Sequence, residues 1–397
     1  MFEFIERQDT QNTSCARIKV IGIGGAGGNT INSMIASGFE HVEFIVANTD
    51  TQALERSKAT HIIKLGSKLT KGLGSGANPE VGRRATEEDL DAINEHLDDA
   101  DIVFLTAGLG GGTGTGGMPV VARSLRERDI LSVAVVTKPF SFEGKRRMRV
   151  AEEALQQLKS TVDCLIVIPN QKLIEISTEK IALLEAFEMV NGFIGQFVRS
   201  ISEIITRHGH INVDFADIQS IMRHSGTAVM GSGRASGENR AEEATIKAIS
   251  SPLLEEQGVK GARGVLINIT GSSNIGLHEV SSAAQLIYDQ ADEDASIVLG
   301  SVIDDSLGDE ISVTIIATGF GPQPEAQATP TIPTLHVKPS VPEIQMVAKP
   351  AVTIKREETK VATSSAMITT APLSPEELLE VPAMLRKNSS HEQQKSS

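Results

Sequence analysis

The sequence predicts an α/β protein in four parts: a doubly wound parallel-sheet nucleotide-binding domain, a long central helix, a smaller α+β second domain and a disordered C-terminal tail. Three observations carry this expectation. Up to Ile168, β-branched runs of strand length alternate with helix-like stretches, the pattern of helices packed on both faces of a parallel sheet. Residues 181–207 then run without a proline and place apolar side chains at helical spacing, from Leu184 and Phe187 to Ile204 and Ile205. After Phe320 no aromatic residue remains, and ten of the 15 prolines fall between Pro322 and Pro382, so this region cannot collapse around a core.

Taken in order, residues 1–16 form an extension ahead of a domain spanning 17–180. Strands are expected at residues 18–23, 42–47, 61–65, 102–106, 131–137 and 165–168, each an apolar run bounded by polar or glycine residues. Residues 29–37, 79–97, 118–128 and 145–159 carry the spacing and charge of surface helices, with Pro79 and Pro119 suited to a first helical turn. The segment 181–210 reads as a central helix joining this domain to a second one at 211–318. There, strands are expected at 265–269, 297–303 and 311–317, with a helix near 278–290. Residues 319–373 are a tether. In 374–397, Ser374-Pro375-Glu376-Glu377 is a helix start ahead of Leu378, Leu379, Val381, Met384 and Leu385, an apolar island suited to docking on a partner.

Charge narrows the function. With 37 basic and 51 acidic residues the chain carries a net charge of -14, whose field repels nucleic acid and anionic lipid, so neither is an expected partner. No apolar stretch is long enough to insert in a membrane, and the first residues lack a basic region followed by an apolar one; a cytoplasmic protein is expected. Cys15 and Cys164 have no metal-ligand spacing, and Cys164 lies in an apolar run, which predicts core packing and no disulfide.

Chemistry concentrates in glycine. Residues 110–117 read Gly-Gly-Gly-Thr-Gly-Thr-Gly-Gly directly behind an apolar strand, so nearly bare backbone N–H groups can converge on anionic oxygens at the start of a helix. An earlier loop, Gly22-Ile23-Gly24-Gly25-Ala26-Gly27-Gly28-Asn29, contains Gly-x-Gly-x-x-Gly with Asp50 further on, a dinucleotide fingerprint that keeps an oxidoreductase in view. One pyrophosphate needs one such loop, whereas two here follow strands of the same sheet. Six turns, at 24–29, 48–50, 71–78, 108–117, 137–147 and 169–170, fall on the carboxyl edge where ligands bind open parallel sheets, and a triphosphate accounts for two phosphate loops. The chain has no Gly-x-x-x-x-Gly-Lys-Ser/Thr, so phosphate charge must be offset by backbone N–H groups, Thr113, Thr115, a bound Mg²⁺ and Arg147. Glu143 and Arg147, four apart, either reach one ligand together or form a solvated ion pair. Asn212-Val213-Asp214-Phe215-Ala216-Asp217 packs two carboxylates and an amide beyond the central helix, a set that either polarises a water or caps the next helix. Because the glycine loops lie at the other end of that helix, one subunit need not unite the two sets.

These residues resemble the tubulin/FtsZ family of GTPases. Gly110 to Gly116 resembles its signature, and Asn212-x-Asp214-x-x-Asp217 its catalytic loop; the likeness extends to Asn48-Thr49-Asp50, Lys71-Gly72-Leu73-Gly74, Thr137-Lys138-Pro139-Phe140, Phe142-Glu143-Gly144-Lys145 and Pro169-Asn170. The resemblance covers about residues 17 to 318 and implies GTP or GDP as the bound nucleotide, with Mg²⁺ held by ligands left unassigned. It implies a nucleotide-binding set of Gly24, Gly25, Ala26, Gly27, Gly28, Asn29, Gly111, Gly112, Thr113, Gly114, Thr115, Gly116, Glu143, Arg147, Asn170, Phe187 and Asn191. Within it the glycine loops would hold phosphates, Glu143 and Arg147 the ribose and phosphate side, and Phe187 and Asn191 the guanine. Asn212, Asp214 and Asp217 would act catalytically on the nucleotide of the next subunit in a head-to-tail filament. The expected setting is the division ring at mid-cell, with FtsA-type or ZipA-type adaptors docking on residues 376–387. A relative working outside division, and a binding module without turnover, are the alternatives. One departure stands out: after Glu185-Ala186-Phe187 the chain reads Glu188-Met189-Val190-Asn191-Gly192, where the family commonly has small residues followed by Asp or Asn.

Overall fold

The computed structural model describes residues 16–172, 182–207, 209, 211–251, 254 and 258–320. The extension at 1–15, the tether beyond 320 and the docking segment at 374–397 lie outside the described residues.

The chain begins β1 (Ile18–Ile23), α1 (Gly24–Ala36), β2 (Val42–Asn48), α2 (Thr51–Glu55), β3 (His61–Lys64), α3 (Ser67–Thr70), α4 (Pro79–Glu88), α5 (Leu90–Leu97) and β4 (Ile102–Gly108). It continues α6 (Thr113–Glu127), β5 (Leu131–Lys138), α7 (Lys145–Lys159), β6 (Cys164–Pro169) and the central helix α8 (Leu183–Thr206). Then come α9 (Phe215–Met222), β7 (Gly226–Ser236), α10 (Arg240–Ile249), β8 (Gly264–Gly271), α11 (Leu277–Tyr288), β9 (Ser296–Ile303) and β10 (Glu310–Thr318). All six strands expected in the first domain and all three in the second are present, as are the central helix and the helix near 278–290.

Among the described residues ten strands form one sheet in the order β3-β2-β1-β4-β5-β6-β7-β10-β8-β9. The first six are parallel, which puts their carboxyl ends on one edge. The two regions are therefore joined through the sheet as well as through α8: Cys164 to Ile166 of β6 pair with Gly226 to Ala228 of β7, while β10 runs antiparallel to both β7 and β8. Burial on both faces explains why the strands read as unbroken apolar runs; β1 is buried at every position. Its Val20 packs in the cluster shared with Phe104, Phe197 and Ile201, and its Ile21 in the cluster of Leu105, Val121 and Leu125 on the other face.

α8 holds the first of these clusters together. Its apolar stripe Val190, Ile194, Phe197, Val198 and Ile201 is buried, and Phe197 meets Phe104 edge to face at 6.2 Å between ring centroids. At its 24 residues the helix is about 36 Å long.

Four expectations need correction. The helices expected from 29 and 118 begin earlier, at Gly24 and Thr113, because each glycine loop passes straight into the first helical turn. Pro119 consequently sits inside α6 rather than in its first turn. The single helix expected at 79–97 is two, broken at Asp89, whose carboxylate turns away to accept a 2.6 Å hydrogen bond from the Gly66 N–H. β7 was not expected from Gly-Thr-Ala-Val-Met-Gly-Ser-Gly-Arg-Ala-Ser, nor α10 after it. The glycines there serve packing: a Cβ at Gly231 would lie 2.1 Å from the Ala248 carbonyl oxygen, and one at Gly233 2.1 Å from that of Ala244, so α10 rests on bare strand.

Candidate nucleotide site

Because each parallel strand hands over to a helix or loop at the same edge, the glycine segments meet there. They line a cleft of about 410 Å³ whose walls include Gly24, Gly25, Ala26, Asn29, Gly111, Gly112, Thr113, Gly114, Glu143, Arg147, Asn170, Phe187 and Asn191. Four other residues of the expected set stand behind this wall. A Cβ on Gly27 would lie 2.6 Å from the Thr106 carbonyl oxygen, and one on Gly116 1.9 Å from that of Pro79, so both are required by packing. Gly28 faces Val46, and the buried Thr115 hydroxyl accepts a 3.0 Å hydrogen bond from Gly110 N–H, closing the loop on itself. Ile23, Ser75, Gly108, Leu109, Thr137 and Pro139 also line the cleft and are not among the named nucleotide-binding set. All of these but Ile23 belong to the six edge loops, which was the signal that could have found them.

The dinucleotide pattern at Gly22 to Gly27 has a local explanation. A Cβ at Gly22 would lie 2.5 Å from the Gly27 carbonyl oxygen, so two of the three fingerprint glycines set α1 against β1. Gly24, at φ +77°, makes the strand-to-helix turn.

The second glycine loop is braced by hydroxyls. Thr113 Oγ1 lies 2.7 Å from Thr49 Oγ1 and 3.0 Å from Ser75 Oγ, so three of the edge loops are tied at one atom. Thr113 also begins α6, whose unpaired N-terminal N–H groups favour an anion. On the opposite wall Glu143 and Arg147 are hydrogen-bonded at 2.5 Å, and Glu143 Oε1 accepts from Phe140 N–H at 2.9 Å. The two residues thus pair with each other and line the cleft as well. Arg147, half exposed, keeps guanidinium donors for an anion.

An aromatic floor ends the cleft. Phe140 is buried, stacks on Phe142 at 5.1 Å and meets Phe187 edge to face at 5.3 Å, leaving Phe187 partly open. Beside it Asn170 is buried with its Oδ1 unpartnered, an acceptor that a ligand can satisfy. Asn191, one helical turn beyond Phe187 on α8, is hydrogen-bonded to Thr30 at 2.8 Å. The cleft thus runs from an aromatic and amide end at Phe187, Asn170 and Asn191 to the N–H groups of the glycine turns.

Asn212, Asp214 and Asp217 are not in this cleft. From Asn191 to Thr206 α8 advances about 22 Å, and the three residues lie beyond its far end. Ile211 N–H bonds to Ser301 Oγ at 3.0 Å and Val213 is buried, so β9 pins this loop. Asn212 Oδ1 accepts from Gly209 N–H at 2.9 Å. Asp214 is the N-cap residue of α9, yet its side chain makes no capping bond, and both aspartates are exposed. Cys164, wholly buried, has its thiol pushed up to about 12 by desolvation, which removes it from any nucleophilic role.

The family model described as "Tubulin/FtsZ family, GTPase domain" matches residues 17–178, and "FtsZ family, C-terminal domain" matches residues 226–321. Over 306 residues the chain is 53% identical to the cell division protein FtsZ of Coxiella burnetii, covering 77% of this chain and 79% of that one. With the protein of the same name from Magnetospirillum gryphiswaldense it shares 47% identity over 84% of its own length and 59% of the relative's. Among solved structures, an empty FtsZ dimer of M. jannaschii aligns with a TM-score of 0.73 at 42% identity, over 78% of this chain and 89% of that one. CetZ2 of Haloferax volcanii, at 21% identity and a TM-score of 0.63, shares the fold. By both halves of its sequence, then, the chain belongs to the tubulin/FtsZ family of GTPases.

Proposed function

We propose that the chain is a GTP-dependent polymerising protein of bacterial cytokinesis, with GTP hydrolysed between successive subunits. The observation that carries this reading is the separation of two polar sets by one helix: a phosphate-shaped cleft at the start of α8, and an exposed amide with two carboxylates beyond its end. Neither set hydrolyses a phosphoanhydride alone. Stacked head to tail, the Asn212–Asp217 loop of one copy closes the cleft of the next, and such a contact repeats into an open filament.

In that arrangement the backbone N–H groups of the glycine turns and the N-termini of α1 and α6 hold the phosphates. Arg147 adds a cation, and Phe187 and Asn191 orient the base. The carboxylates of Asp214 and Asp217, at the N-cap and in the first turn of α9, accept hydrogen bonds from a water and point its lone pair at the terminal phosphorus, while Asn212 holds the preceding loop through Gly209 N–H. Among the described residues no group of three His, Cys, Asp or Glu side chains is placed to hold a metal ion. A Mg²⁺ bound with the nucleotide would supply neutralisation of the phosphate charge.

The setting follows from the same reading: filaments at the mid-cell division site, tied to membrane-associated FtsA-type or ZipA-type adaptors through residues 376–387. Among the described residues no helix is long and apolar enough to cross a membrane, which fits attachment through an adaptor. The test is Asp217→Ala measured three ways. It should bind GTP as the unaltered protein does, pellet with GTP, and release phosphate at least tenfold more slowly. Loss of nucleotide binding would instead put Asp217 in its own subunit's cleft.

A further inference from the structure

We infer that Thr30 sets the purine selectivity of the cleft by fixing which face of the Asn191 amide meets the base. The inference rests on the reading of Asn191 as a base contact. Thr30, in the second turn of α1, is 2% exposed; its Oγ1 lies 2.8 Å from Asn191 Oδ1 and 3.1 Å from the Ala26 carbonyl oxygen. One hydroxyl has one proton, so it donates to one of these oxygens at a time.

The two choices present opposite chemistry. In the structure Asn191 Oδ1 faces Thr30 and accepts from its hydroxyl, and in this state the amide N–H₂ is left for the cleft that Asn191 lines, a pair of donors. Guanine offers N1–H and an exocyclic N2–H₂ on that edge, also donors, so this state opposes guanine. Xanthine carries a carbonyl oxygen at C2, and this state favours it. When the hydroxyl donates to Ala26 instead, a half-turn of the amide lets Nδ2 donate to Thr30 Oγ1. Oδ1 then faces the base and accepts from guanine.

A carboxylate at 191 would have no such choice, since both of its oxygens accept. The neutral amide of this chain does, and Thr30 is the side chain hydrogen-bonded to it. Without the hydroxyl, the guanine-reading state turns an N–H₂ with no acceptor toward the buried position of residue 30, whereas the xanthine-reading state turns only a carbonyl oxygen there. Unpaired buried N–H is the rarer and costlier of the two. Thr30 therefore favours guanine over xanthine.

The test is the ratio of dissociation constants, Kd(XDP)/Kd(GDP), measured on the full chain by displacement of a fluorescent GDP analogue. Thr30→Val keeps the β-branched shape and removes the hydroxyl; the ratio should fall by about tenfold, mainly through weaker GDP binding. Thr30→Ser restores the hydroxyl and should return the ratio to within about twofold of the starting value, which separates chemistry from folding. A Thr30→Val chain that loses GDP and XDP affinity by one common factor, or loses neither, overturns the inference and assigns Thr30 to packing alone. Asn191→Ala tells the two failures apart: if it weakens GDP while Thr30→Val leaves the ratio unmoved, the base contact stands and Thr30's role falls. If Asn191→Ala leaves GDP binding unchanged, the base contact itself is wrong.

Discussion

At the scale of single residues, the glycine turns work by what they lack. A Cβ at Gly112 would stand 2.2 Å from Ser75 Oγ and 2.8 Å from Asn78 N, and the second of these is backbone that cannot step aside. Gly112→Ala should therefore fold but lose GTP affinity by about tenfold or more, read by equilibrium binding, because the loop must shift away from the phosphate position. Ionic chemistry appears at Glu279. Its hydrogen bond from Arg240, at 2.7 Å, outweighs desolvation and holds its carboxyl below the usual range. A depressed carboxylate contributes stability that is present above its unfolded pKa and lost as pH falls through the folded one. Glu279→Gln should remove that loss, so that the variant's stability falls less than the parent's below about pH 4.5 in denaturant titrations. The sequence announced the glycine turns, Glu143, Arg147 and Asn170 because they sit in edge loops at readable spacing. It could not announce Thr30, which faces Asn191 from 161 residues away in the chain.

At the scale of elements, α8 is both a packing rod and a spacer. Phe197 is wholly buried against Phe104, so Phe197→Ala should cost about 3–5 kcal/mol of unfolding free energy by transfer and cavity terms together. Thermal or denaturant melts would show it, with GTP still protecting whatever fraction folds. The strands and α8 were legible because burial on both faces, or on one helical stripe, leaves runs that composition alone reveals. β7 was not legible for the opposite reason: its Gly231 and Gly233 are chosen for the helix above them, and they erase the apolar signal of a strand. The starts of α1 and α6 were misplaced because glycine is a poor helix former, whereas here close packing keeps the first turns bare, Gly27 against the Thr106 carbonyl oxygen and Gly116 against that of Pro79.

At the scale of the whole molecule, one continuous sheet and one long helix hold the cleft and the Asn212–Asp217 loop at a fixed spacing, about 22 Å of helix lying between Asn191 and Thr206. On the function proposed above, that spacing suits the chain to a head-to-tail repeat in which each copy would offer one half of the hydrolytic machinery at either end. The separation of the two polar sets was legible without coordinates, because the glycine loops precede the helix and the carboxylates follow it.

The decisive property of the molecule is whether hydrolysis needs a neighbour. Phosphate release per molecule should be measured against total protein concentration at saturating GTP and Mg²⁺, with the mass of the protein followed in parallel. A rate near background below a threshold, rising steeply as assembly begins, is the predicted result. Dilute enzyme shown to be monomeric and turning over GTP as fast per molecule as assembled enzyme would contradict it.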